Sequence, residues 1–333
     1  METYTETINE VEIYHKFAII NGITYHFAEA GKGPLLILVH GFPELWYSWR
    51  HQLPTLSKAG YRVVAPDLRG FGQTEGTDNL SDYSLFNYAK DIKELIDYLG
   101  NQNAVIVGHD WGANIGWLMP LIYPDKIKAL IALSIPYYPQ PRNPEEIKKW
   151  SQGKFSFPLY FEKRGAVEAE FEENPKEFFR KFFYGLSGNA PTGLIDTLFL
   201  KKPENAKLLD GIPEPAELPE WITDQDIDYY ANTYSKKGIS YALNFYRTTH
   251  LDYPRLKEAY QNKINKPVLF IAGASEAAIK FGSVEPMKHS LPKLDQIVLL
   301  SNCGHWIQQE RATELNNYIL EFLARIEEIE ITA

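Results

Sequence analysis

Cysteine occurs only once in the 333 residues, at Cys303. One thiol excludes an intrachain disulfide and fits a reducing compartment, and CxxC pairs and HExxH are both missing. No metal and no cofactor are therefore expected. Positive charge is also short, with 34 Lys and Arg against 43 Asp and Glu and a net charge of -9. That balance offers no basic surface for nucleic acid and no Lys/Arg cluster for an anionic membrane, so neither partner is expected. The N-terminal METYTETINEVEIYHK carries acids where a signal peptide needs a basic stretch and then an apolar one, which predicts a cytoplasmic protein. What is present is a globular composition, 44% hydrophobic and 23% charged. It suits one large domain with an insertion, or two ordinary domains.

KFAIINGITYHF alternates about Asn21-Gly22, a dipeptide suited to a tight hairpin. The pattern then changes to short apolar runs: LLILVHG (35–41), YRVVAPD (61–67), NAVIVGHD (103–110), KALIALS (128–134), KPVLFIAG (266–273) and QIVLLSN (296–302). Such runs predict parallel strands buried on both faces, with amphipathic helices such as SLFNYAKDIKELIDYLG (84–100) between them. The fold class is α/β, a mostly parallel doubly wound sheet. From about residue 137 to 255 the repeat gives way to aromatic-rich, helix-like runs. The reading is a core of 1–137 and 256–333 with a helical cap over 138–255, entered at PYYPQPRNP and left near Tyr253-Pro254.

The strand AVIV runs into Gly108-His109-Asp110-Trp111-Gly112 and then a helical stretch. This has the form of a nucleophile elbow, with Asp110 where G-x-S-x-G proteins carry serine. A carboxylate there implies attack to give a covalent ester, which water then cleaves. The competing reading of Asp110 is a helix N-cap. His40-Gly41-Phe42-Pro43 follows the LLILV strand, where this fold supplies one oxyanion-hole donor; the residue after the nucleophile supplies the other. The backbone N–H groups of Phe42 and Trp111 are the candidates, although HGFP would also serve as a simple turn.

A base for the water is found in Asn302-Cys303-Gly304-His305-Trp306, after the last predicted strand and in the chain order nucleophile, acid, histidine. His305 is the candidate, with Cys303 packing beside it and His109 structural. The acid orienting His305 should follow KPVLFIAG or KALIALS. Only the former is followed by a carboxylate, Glu276, which would also suit a helix start.

Together HGFPELWYSWR (40–50), DLRGFGQT (67–74), GHDWGANIGW (108–117), LNFYR (243–247) and NCGHW (302–306) resemble soluble epoxide hydrolases, through nearly the whole chain. The resemblance implies hydrolysis of a hydrophobic epoxide to a diol, with only that small molecule and water as partners. It also implies that Tyr246, in LNFYR, hydrogen-bonds the epoxide oxygen; without the resemblance, aromatic packing would be the better account of this residue. Phe157 stands where the family carries a second tyrosine and so belongs to the substrate pocket, and Tyr160, three residues on, is the candidate replacement donor. Glu276 stands where these enzymes usually have Asp. Two alternatives stay open. One is a haloalkane dehalogenase using the same aspartyl ester, with Trp111 as a halide ligand; the other is a ligand-binding protein on a hydrolase scaffold.

Overall fold

The computed structural model describes residues 2–332. The chain opens with an antiparallel meander, β1 (Tyr4–Ile8), β2 (Val11–Ile20) and β3 (Ile23–Ala30). Asn21 and Gly22 take φ of 46° and 81°, the left-handed pair that a two-residue hairpin requires. The β1–β2 turn does the same at Asn9 and Glu10, with φ of 48° and 64°. Strand β1 was not predicted, because a glutamate in a left-handed position carries no turn signature.

Strand β3 joins β5 (Arg62–Pro66) antiparallel. Beyond that point β4 (Leu35–Val39), β6 (Ala104–His109), β7 (Ile127–Leu133), β8 (Val268–Gly273) and β9 (Leu294–Leu300) are all parallel. Among the described residues the nine strands run in the order β1-β2-β3-β5-β4-β6-β7-β8-β9. Helices α1 (Gln52–Lys58), α2 (Leu85–Tyr98) and α3 (Trp111–Ile122) separate the early parallel strands.

Eight helical pieces lie between β7 and β8 among the described residues: α4 (Pro144–Trp150), α5 (Phe157–Glu162), α6 (Ala166–Glu173), α7 (Pro175–Gly185), α8 (Leu194–Asp196) with a π-helical turn after it (Thr197–Lys201), α9 (Asp224–Lys237) and α10 (Asn244–Ala259). Asn143, Asn174 and Thr223 cap α4, α7 and α9 through side-chain oxygens that accept backbone N–H bonds. The expected exit at Tyr253-Pro254 falls inside α10, which continues to Ala259 and packs on α2 and α3. Proline costs the helix one internal hydrogen bond, and the packing on the core carries it through. The chain closes with α11 (Ala277–Lys280), α12 (Glu285–Ser290), α13 (Ile307–Glu310) and α14 (Ala312–Thr332). No helix among the described residues is long and apolar enough to cross a membrane.

The absence of alternation in the central strands follows from this layering. In β4 and β6, Leu35, Ile37, Val39 and Ile106 enter one core with Ile92 and Leu95 of α2 and Ile115 of α3. Leu36, Leu38, Val105 and Val107 enter the other, with Leu53 of α1 and Leu315 and Phe322 of α14. With both faces buried, β4 is apolar throughout and β6 is apolar from Ala104 to Val107.

Candidate active site

Strand β6 ends one residue before Asp110, and α3 begins one residue after it. Asp110 has φ 54° and ψ -117°, a conformation that costs a non-glycine residue energy and has to be held by its surroundings. The glycines around it show how tightly it is held. A Cβ on Gly112 would come 2.0 Å from the Val39 carbonyl oxygen, and one on Gly41 would come 2.4 Å from the Asp110 side chain. The turn lifts the carboxylate above the C-terminal edge of the sheet, where open α/β sheets place ligands. The side chain makes no cap bond to α3. Instead the N–H of Phe42 donates to Oδ1 at 3.0 Å, and the backbone N–H of Trp111 also reaches the carboxylate.

The loop carrying Phe42 is fixed by His40, which is fully buried. Its Nδ1 lies 2.9 Å from the Gly41 carbonyl oxygen, and its Nε2 accepts from the N–H of Leu68 at 3.0 Å. One ring nitrogen thus donates and the other accepts, as in a neutral imidazole, and burial lowers the pKa to match.

His305 enters from the loop before α13, and its Nδ1 donates to Glu276 Oε2 at 2.6 Å. Glu276 is also the N-cap of α11, accepting the Ala278 N–H through its other oxygen at 3.2 Å. Its two sequence readings, histidine partner and helix-start residue, are therefore both met by one side chain. Across the site, His305 Nε2 lies 3.7 Å from Asp110 Oδ2. Burial raises the Asp110 pKa, against the opposing pull of His305, His109 and the two backbone amides. Burial works against charge on His305 too, but Glu276 and then Asp110 outweigh it and lift its pKa to about 9. Glu276 is held below its ordinary value, since the charge of His305 and its hydrogen bond overcome burial.

Beneath these groups lies a pair that the sequence reading did not connect. Glu44 and His109 are both fully buried. His109 Nδ1 is 2.7 Å from Glu44 Oε2, and its Nε2 is 2.7 Å from the carbonyl oxygen of His305. Glu44 also accepts from the side-chain amides of Gln308 and Gln309, each at 2.8 Å. The pair ties the residue before Asp110 to the backbone of the His305 loop. Both residues lie within motifs read from the sequence, but nothing in the sequence shows that their side chains meet. Removing one partner from a buried ion pair strands the other, so Glu44→Ala is expected to lower unfolding stability by about 3–5 kcal/mol. Urea unfolding checks this, and a loss under about 1 kcal/mol, the range of an exposed ion pair, would place the pair outside the stability of the site.

A cavity of about 580 Å³ opens over Asp110, within the range of small-ligand sites. Phe42, Phe157, Phe161, Phe182 and Tyr246 are among its walls, together with His305 and Glu276. Tyr246, on α10, meets Trp111, Phe42 and Phe161 edge-on or nearly so, at centroid distances of 5.1, 5.7 and 4.6 Å. Burial and the nearby Asp110 charge push its phenol well above an ordinary tyrosine, while a hydrogen bond from the Trp111 side chain opposes them. Phe157 also lines the cavity.

Tyr160 does not replace the second tyrosine. Residues 157–162 form α5, where a three-residue offset leaves Tyr160 beside Phe157, but the Tyr160 ring packs on Phe155 with centroids 5.0 Å apart and is not among the cavity walls. Its hydroxyl bonds Glu170, which also accepts from the N–H groups of Leu208 and Leu209 at 2.8 and 3.0 Å. Cys303 is buried with its pKa raised by burial, as a packing residue would be. The Trp111 indole stacks on Phe245, with centroids 5.0 Å apart.

A family model described as the alpha/beta hydrolase fold matches residues 34–312. Epoxide hydrolase A of Mycobacterium tuberculosis is 35% identical over 311 residues, covering 92% of this chain and 96% of that protein. Epoxide hydrolase 3 of Siraitia grosvenorii is 36% identical over 323 residues, covering 94% and 98%. Among solved structures, epoxide hydrolase A from Mycobacterium thermoresistibile superposes with a TM-score of 0.88 at 34% identity, over 94% of this chain and 98% of that one. This chain belongs to the α/β-hydrolases and, within them, to the epoxide hydrolase family.

Proposed function

We propose that the protein converts a hydrophobic epoxide to a vicinal diol through an ester on Asp110. The observation that carries this reading is the Asp110 carboxylate itself. It stands at the elbow beneath an aromatic-walled cavity, with one oxygen held by the Phe42 N–H and the other facing His305.

In the first step an Asp110 oxygen forms a bond to one epoxide carbon, and the carbon–oxygen electron pair stays with the ring oxygen, to which Tyr246 donates a hydrogen bond. Alkylation removes the Asp110 charge. That charge is one of those holding the proton on His305, so its loss favours the neutral imidazole needed for the next step. His305, oriented by Glu276, then takes a proton from water as the water attacks the ester carbonyl. The N–H groups of Phe42 and Trp111 stabilise the resulting oxyanion. Collapse of this intermediate breaks the ester carbon–oxygen bond, the leaving alkoxide takes the proton held by His305 to complete the diol, and Asp110 returns to its carboxylate as it loses the remaining proton of the water to solvent. The helices between β7 and β8 serve as a cap supplying the apolar walls and Tyr246.

The test is a product assay with a hydrophobic epoxide and a chloroalkane of similar size. Diol from the former without chloride from the latter is expected. Chloride alone would transfer the reading to a dehalogenase, and neither product to a ligand-binding protein.

A further inference from the structure

Tyr246 is the single phenol on the cavity wall among the described residues. The wall at position 157 is closed by hydrocarbon: Phe157 stacks on Phe199 with centroids 4.7 Å apart, and Phe155 meets it edge-on at 5.2 Å. The remaining candidate, Tyr160, spends its hydroxyl on Glu170. The one phenol present is also a reluctant acid, because burial and the Asp110 charge both disfavour its ionised form. Ser156 supplies another hydroxyl on the wall, but an aliphatic alcohol is a weaker acid still. Of the two cations on the wall, Arg142 lies over the Tyr138 ring, and His305 turns its nitrogens to Glu276 and to the attacking Asp110, on the side the departing oxygen leaves.

These features bear on where charge sits while the ring opens. As Asp110 bonds to carbon, the electron pair of the breaking carbon–oxygen bond moves onto the oxygen. A strong acid, or two donors, would share that charge; one weak donor shares less of it. The remainder has to be stabilised by the substrate. We propose that this site selects epoxides bearing an electron-withdrawing substituent beside the ring, and that Phe157 sets the preference. Epoxides flanked by an ether, carbonyl or similar group disperse the alkoxide charge themselves, whereas simple alkyl epoxides depend on the enzyme for it. The proton that completes the alcohol passes from Tyr246, which regains one from solvent, so no further reactant is needed. The inference rests on the ester mechanism proposed above.

Two isosteric probes separate electronic demand from fit: phenyl glycidyl ether, and 4-phenyl-1,2-epoxybutane, in which a methylene replaces the ether oxygen. The alkylation rate at saturating epoxide is read in single turnovers by rapid quench and intact-protein mass. The native protein is expected to open the ether about tenfold faster than the carbon analogue, the scale of one hydrogen bond to a developing charge. Phe157→Tyr, which adds a hydroxyl to this wall of the cavity, should accelerate the carbon analogue most and bring the ratio close to one. Tyr246→Phe should slow both and widen the ratio.

Equal rates in the native protein overturn the proposal, as does a ratio that Phe157→Tyr leaves unchanged. So does a ratio that widens in Ser156→Ala, which would show Ser156 acting as the second donor. If neither epoxide yields an adduct on Asp110 in any variant, the ester mechanism fails instead, and the two failures are told apart by that mass.

Discussion

Asp110→Asn protein mixed with a hydrophobic epoxide is expected to gain no mass and to form diol more slowly by about 10⁴-fold or more, the scale of removing a catalytic nucleophile. The side chain keeps its shape. Asparagine tolerates the positive φ of 54° at this position better than most residues, and its amide oxygen can still accept the Phe42 N–H. What is lost is the negative charge and the nucleophilic oxygen, and a neutral amide cannot open an epoxide at a comparable rate. The stability should not fall, because burial disfavours the charged form that the substitution removes. A thermal unfolding curve that matches the native protein, beside absent alkylation, separates chemistry from folding. Full activity in freshly purified Asp110→Asn, with deamidation excluded by mass, would remove Asp110 from the mechanism.

The elements around Asp110 were legible from the sequence for a physical reason. A buried parallel strand announces itself as an unbroken apolar run, and the elbow needs glycines where β6, α3 and β4 nearly touch. Gly108 and Gly112 are thus a steric requirement visible as letters. His305 and Glu276 could be found because each follows a predicted strand, so chain order stood in for distance. Other features lacked such a proxy. The Glu44–His109 contact joins residues 65 apart through a hydrogen bond, and hydrophobic periodicity carries no trace of it. Tyr160 misled because a three-residue offset on a helix makes two side chains neighbours at their bases but does not decide where the hydroxyl of the longer one ends. Here the Glu170 carboxylate, with two backbone N–H partners of its own, draws the hydroxyl away. Pro254 misled in the opposite direction, because tertiary packing of α10 overrode a local helix-breaking signal.

The second large effect concerns His305→Gln, where the two chemical steps should come apart. Asp110 needs no base to attack, so alkylation should proceed, and the protein mass should rise by that of one epoxide on the peptide containing Asp110. The ester should then persist, because glutamine cannot take a proton from water, and turnover should fall by about 10²–10⁴-fold, the usual worth of a general base. Glutamine can still donate a hydrogen bond to Glu276 from its amide, which limits damage to the loop. In the native protein the pH dependence of ester decay follows from the same charges. The His305 pKa of about 9 belongs to the state in which Asp110 is ionised. In the ester that charge is gone, so decay should rise with pH through a midpoint below about 9, and slow as the imidazole is protonated below it. Isotopically heavy water supplies the independent check. One native turnover should leave the label in the Asp110 carboxylate, while the first diol carries the old carboxylate oxygen. Label entering the diol directly, together with no adduct in His305→Gln, would replace the ester with general-base attack of water on the epoxide itself.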